Sequence, residues 1–254
     1  MTTASQEFSP GSIPGGTSLR AVVFDWGGTL SLPLTDELED LWRVAAHHLD
    51  PDHADALTER LIAVEAEVWG ETTRTQRSAK LEDILERAGR ELGLSVRRAV
   101  IDEAALLHLD AWTPHITHDP VAAEVLAAVR AGSLATGLLS NTHWPPSFHE
   151  RFLARDGLAA LLDVRSYTST LAHVKPHPDA FSAVLEGLGV EPGQAVFVGD
   201  DPHDDITGAA AVGMRTVLRR HPGPQRSTDG PGADAEISDL RQLLPLLRAW
   251  GAQV

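Results

Sequence analysis

Apolar positions follow two periods along the chain, and the change between them divides it. Ala21 to Phe24 form a short apolar run, within a predicted strand over about residues 20–24, that stops at Asp25, Trp26, Gly27 and Gly28. From residue 35 to about 112 the spacing becomes helical. Leu38, Leu41, Trp42, Ala45 and Leu49 share one face, and Leu57, Leu61, Val64 and Val68 share the next. Leu81, Ile84, Leu85 and Ala88 predict a third helix, and IDEAALLHLDAW, residues 101–112, a fourth. So long a stretch without a convincing strand predicts a helical insertion rather than crossover helices of the main fold. Trp42 and Trp69 are read as packing residues of that insertion.

Beyond residue 113 strand and helix signals alternate. Asp119 and Pro120 predict a helix start, and Gly132 its stop. LATGLLSN predicts a buried strand running into Ser140 and Asn141, residues 147–155 a helix, and DVRSYTS another strand. Pro178 opens the helix DAFSAVLEGLG, AVFVGDD is a strand ending on acids, and DDITGAAAVG is the helix after it. RTVLRR gives a further strand, AEISDL a short strand or helix start, and the tail an amphipathic helix. Repeated strand–helix units predict an α/β fold: a Rossmann-like, mostly parallel sheet with helices on both faces and an inserted α-helical cap domain. The expected organisation is a flexible leader over residues 1–19, a discontinuous core of 20–34 and 113–254, and a cap over 35–112.

Three predicted strands end on polar groups: Asp25, then Ser140 with Asn141, then Asp200 with Asp201. Ligands of an open α/β sheet bind outside the carboxyl ends of its strands. Several carboxylates gathered there repel one another and lose water, a cost that a hard divalent cation such as Mg²⁺ offsets with oxygen ligands. Asp25 and Asp200 are the leading direct ligands, and Asp205 is favoured over Asp204. Lys175 is one of only two lysines, beside 19 arginines, and stands in HVKPHPDAF where a compact positive charge serves a phosphoryl group. Ser140 and Thr29 are candidate donors to phosphate oxygens, and Gly27 and Gly28 permit close backbone approach.

Composition removes several classes. The chain has no cysteine, which excludes disulfides, thiolate nucleophiles and cysteine-bound zinc. A formal charge of −15 disfavours nonspecific nucleic-acid binding, while a small phosphorylated metabolite held by a few local donors stays compatible with it. No apolar run reaches membrane-spanning length and the N-terminus lacks signal-peptide features, giving the expectation of a cytoplasmic protein, monomeric or a small homo-oligomer. His115/His118 and His173/His177 have metal-like spacing, but no fuller zinc motif accompanies them.

Four segments in order resemble the motifs of haloacid dehalogenase superfamily hydrolases: FDWGGT, LLSNT, VKPHPDAF and VFVGDDPHDDITGA. The resemblance covers about residues 20–245, with the helical insertion similar to the cap of the subclass whose cap follows the first strand. It implies Asp25 as a nucleophile forming an aspartyl-phosphate, Ser140 holding a phosphoryl oxygen and Lys175 offsetting charge. It also implies Mg²⁺ held by Asp25, the Gly27 carbonyl, Asp200 and Asp205, with Asp201 in support. Gly28, Thr29, Asn141 and His143 are the candidate substrate-binding positions.

Gly27 departs from the pattern, because phosphatases of this family carry a second aspartate there as general acid and base. Loss of that help costs roughly 10²- to 10⁴-fold, which a good leaving group needs least. His143, directly after SNT, is the proposed substitute acid, ahead of His47, His48, Glu65, Glu67 and Glu71 on the cap. The leading reading is a Mg²⁺-dependent phosphomonoester hydrolase. The alternatives are a noncatalytic phosphate-ligand-binding or regulatory relative, and phosphonatase-like or haloacid-dehalogenase-like hydrolysis. Phosphonatases share a small-residue first motif but need an early cap lysine, absent here. Dehalogenases lack so acidic a fourth motif.

Overall fold

The computed structural model describes residues 18–33, 41–222 and 232–254. The expected leader, apart from residues 18 and 19, lies outside them, as does Leu38. Six strands form one sheet: β1 (Ala21–Phe24), β2 (Ala135–Ser140), β3 (Val164–Tyr167), β4 (Ala195–Gly199), β5 (Arg215–Arg219) and β6 (Ala235–Ile237). Their order is β3-β2-β1-β4-β5-β6, and every neighbouring pair is parallel.

The strands are buried on both faces, so they read as continuous apolar runs rather than alternations. The two-residue period still sorts their side chains. Val22 and Phe24 pack with Val125 and Leu126 of helix α5 (Ala122–Ala131) and with Leu243 and Leu247 of α9 (Leu243–Ala249). Ala21 and Val23 face the other way, against Phe181, Val184 and Leu185 of α7 (Pro178–Leu188) and Ala209 of α8 (Gly208–Val212). Helix α6 (Pro146–Arg155) follows β2.

Register decides where the site forms. Phe24, the last residue of β1, lies opposite Leu138 of β2 and Val198 of β4. The carboxyl ends of these three central strands therefore finish side by side, at the point where strand order reverses about β1.

The inserted helices are α1 (Trp42–Leu49), α2 (Ala54–Thr75), α3 (Leu81–Glu91) and α4 (Arg98–Trp112). Leu57, Leu61, Val64 and Val68 are buried on the stripe of α2 that the sequence marks. Trp42 is core, as expected, stacked on His108 with ring centroids 3.8 Å apart. Backbone hydrogen bonds fasten this region to the sheet domain. Leu81 N donates to His143 O at 2.9 Å, Val174 N to Gln76 O at 3.0 Å, and Ser78 N to Ala172 O at 3.2 Å.

Two expected helix starts move. Helix α5 begins at Ala122, because Asp119 closes a preceding turn by accepting from Val121 N at 2.9 Å through its side chain. After β4 a wide turn over Pro202–Thr207 comes first, leaving α8 only five residues. Asp201 sets that turn by accepting from the amides of His203 and Asp204 at 2.8 and 2.9 Å. No described helix is long and apolar enough to cross a membrane.

Candidate active site

Beyond Asp25 the chain makes a wide turn over Trp26–Leu30, closed by Ser31 N donating to Trp26 O at 2.8 Å. Gly28 has φ +71°, and a Cβ there would lie 2.3 Å from Asp200 Oδ2, so glycine both permits the turn and gives Asp200 its room. Gly27 is the opposite case, with no atom within 4 Å of an added Cβ. Trp26 is held from behind: its Nε1 donates to His118 Nε2 at 3.0 Å, and His118 Nδ1 lies 2.6 Å from Asp156 Oδ2. One tautomer satisfies all three groups, with Nδ1 donating to the carboxylate and Nε2 accepting from the indole.

Lys175 is buried between two carboxylates, its Nζ 2.6 Å from both Asp25 Oδ1 and Asp205 Oδ1. Burial opposes its charge, but the two acids outweigh it and raise the lysine above its ordinary value. Asp25 is pushed up to about 8, first by burial and then by Asp205 and Asp200, against the lowering pull of Lys175. Burial, then Asp201 and Asp205, raise Asp204 to about 6.

Asp25, Asp200 and Asp205 each offer a carboxylate oxygen, all within 4.8 Å of one another. This all-oxygen, charge-rich donor set suits a hard divalent cation such as Mg²⁺, whose charge favours the ionised form that burial disfavours in Asp25. The structure does not bring Asp201 into the cluster; one of its oxygens is engaged in the turn after β4. Asp205 Oδ2 accepts from Asp201 N at 3.0 Å, and a Cβ on Gly199 would overlap that oxygen at 2.3 Å.

The remaining candidates divide. Ser140 ends β2 and lines the same cavity as Asp25, Gly27, Lys175 and the acids. Asn141 also lines it, but its amide is committed elsewhere: Oδ1 accepts from Lys175 N at 2.9 Å and Nδ2 donates to Lys175 O at 3.0 Å. It fixes the lysine's backbone from within the cavity wall. Thr29 is fully buried and Gly28, within the turn, packs against Asp200, and neither is among the described lining residues of this cavity. His143 does line it, stacked on Trp69 with centroids 3.9 Å apart and with both ring nitrogens unpartnered. Burial lowers it to about 4, making it a neutral imidazole at pH 7.

The cavity, of about 590 Å³, gathers tryptophans from the insertion and the loop after β2, of which sequence reading singled out only Trp69. Trp69 is 37% exposed and lines it, correcting the expectation of a packing role; Trp112 and Trp144 join it. Glu65, one helical turn before Trp69, also lines it and accepts from Trp42 Nε1 at 2.7 Å. Burial raises its pKa, with the indole partly opposing. The other cap candidates stay apart: Glu67 and Glu71 pair with arginines, and His48 pairs with Glu103. Arg219, at the end of β5, was equally silent in sequence. It donates to the Thr29 carbonyl and to Asp119, bracing the motif turn from below. His173 and His177 stack at 3.7 Å beside Asp179, where His177 Nδ1 accepts from Asp179 N at 3.2 Å as a helix cap.

Residues 19–213 match the family model for haloacid dehalogenase-like hydrolase. A phosphoglycolate phosphatase of Rhodospirillum rubrum is 30% identical over 236 residues, covering 88% of this chain and 89% of its own. Among solved structures, a HAD phosphatase from Thermococcus onnurineus superposes with TM-score 0.64 at 27% identity, covering 90% of this chain and 98% of its own. A 2-haloacid dehalogenase from Pseudomonas syringae pv. tomato DC3000 reaches TM-score 0.68 at 25% identity, covering 92% of this chain and all (100%) of its own.

Proposed function

Because the chain belongs to the haloacid dehalogenase-like hydrolase family, we propose that it is a Mg²⁺-dependent phosphomonoester hydrolase of a small metabolite, working through an aspartyl-phosphate on Asp25. The observation that carries this reading is the cluster of Asp25, Asp200 and Asp205, with the buried Lys175 ammonium lying between Asp25 and Asp205. It favours a phosphatase over a dehalogenase, whose chemistry needs no such ligand set.

Asp25, Asp200, Asp205 and the Gly27 carbonyl would hold the cation, which would supply charge neutralisation for the phosphoryl oxygens and the nucleophile. Lys175 keeps Asp25 oriented, and the Ser140 hydroxyl donates to a phosphoryl oxygen. An Asp25 oxygen attacks phosphorus while the bond to the leaving oxygen breaks. Water then attacks the phosphorus of the aspartyl-phosphate, releasing inorganic phosphate and restoring the carboxylate. Gly27 offers no proton to the leaving oxygen. His143 lines the cavity with both ring nitrogens free to meet the substrate, and it is the residue whose replacement tests for a substitute proton donor.

The test is phosphate release from a panel of phosphate monoesters and acyl phosphates with and without Mg²⁺, with Asp25→Asn as the control. Metal-dependent release that Asn abolishes supports the reading. Saturable phosphate-ester binding without release replaces it with a binding role.

A further inference from the structure

The cavity wall away from the acid cluster comes from the insertion and the loop after β2, and its charge is unusual. Three indoles, Trp69, Trp112 and Trp144, share it with a single carboxylate, Glu65. Glu65 accepts one hydrogen bond, from Trp42, and has no ion-pair partner among the described residues. The neighbouring acids of α2 are neutralised on the outer face: Glu67 by Arg60 and Arg87, Glu71 by Arg87. Among the described lining residues the sole lysine or arginine is Lys175, already committed to Asp25 and Asp205.

A part-buried carboxylate in an aromatic wall is costly unless a ligand brings the counter-charge. Indole faces attract ammonium groups, more strongly once these are desolvated. We infer that the leaving group of the substrate is an ammonium-bearing alcohol, its cation seated against Glu65, Trp69, Trp112 and Trp144. The phosphoryl half of this assignment rests on the phosphatase reading; the cation half does not. The same wall disfavours a carboxylate-bearing leaving group, since it offers no free cation to meet one. The assignment also bears on the absent acid at Gly27, because a positive charge near the ester oxygen stabilises the departing alkoxide.

Two measurements with Mg²⁺ present decide it. Tryptophan fluorescence is titrated with choline, with ethanolamine, and with 3,3-dimethylbutanol, the uncharged isostere of choline. Phosphate release is compared for phosphocholine, phosphoethanolamine, 3,3-dimethylbutyl phosphate and phosphoglycolate. We expect at least one cation to bind about tenfold tighter than the isostere, its ester to show the same preference in kcat/KM, and Glu65→Gln to erase both. Equal binding of cation and isostere, a preference that survives Glu65→Gln, or phosphoglycolate as the best substrate overturns the inference. Cation-selective binding without release from any ester keeps it and removes the phosphatase reading. Release without cation preference does the reverse.

Discussion

Lys175 Nζ stands 2.6 Å from Asp25 Oδ1, sealed from solvent between strands that lie far apart in sequence. Replacing it with methionine leaves Asp25 and Asp205 facing each other without compensation. Lys175→Met is expected to lower phosphate release by at least about 10²-fold. It should also destabilise the fold by about 3 kcal/mol, the usual result of removing one partner from a buried pair. Added Mg²⁺ restores part of that stability, read as a rise in Tm. An unchanged Tm and rate would show the ammonium to be dispensable.

Adjacent glycines should respond oppositely. At Gly27 a side chain enters open space, so Gly27→Asp is expected to fold normally and raise phosphate release from poor leaving groups by roughly 10²-fold or more. At Gly28 a methyl group meets Asp200 and demands positive φ, so Gly28→Ala should lower both Tm and Mg²⁺ affinity. Isothermal titration with Mg²⁺ and single-turnover phosphate release separate the two effects.

His149 is buried beside Trp26, and burial with the nearby His118 lowers it to about 3. Its unfolded value is near 6.5, so between these limits the unfolded chain binds a proton that the folded chain refuses. Stability from this group is complete above pH 6.5 and is lost as pH falls toward 3, at up to about 1.4 kcal/mol per pH unit. His108 and His143, both lowered to about 4, add loss of the same sign. Urea midpoints measured from pH 7 to pH 4 should decline less steeply for His149→Asn than for the wild type. Identical slopes would remove the histidine from the account.

Arg219 and Asp119 form a buried ion pair beneath the motif turn, with Arg219 also donating to the Thr29 carbonyl. Arg219→Ala leaves Asp119 buried and unpaired, at a cost of about 3–5 kcal/mol by denaturant unfolding. The double change Arg219→Met with Asp119→Leu should recover most of it. Failure of that recovery would assign the loss to the carbonyl contact instead.

The strands and the gathering of Asp25, Asp200, Asp205 and Lys175 were legible because apolar runs end where parallel strands bring their carboxyl ends together. Other roles had no local signal. Asn141 finds its partner 34 residues away, in a backbone that no side-chain pattern announces. Arg219 reaches Thr29 across 190 residues. Glu65 and Trp69 sit outside the apolar stripe of α2, and periodicity marks such positions as outward without distinguishing solvent from cavity. Asp201 carries a second role that sequence does not separate, since an acid beside a metal cluster and an acid capping a turn look alike there.

The backbone bonds from Gln76 and Ser78 to residues 172–174 join the insertion to the segment immediately before Lys175. Lifting the insertion to admit a molecule would break these bonds and release the segment that leads into Lys175, whose own backbone Asn141 still holds. The amide hydrogens of Ser78 and Val174 are therefore expected to exchange with solvent in step.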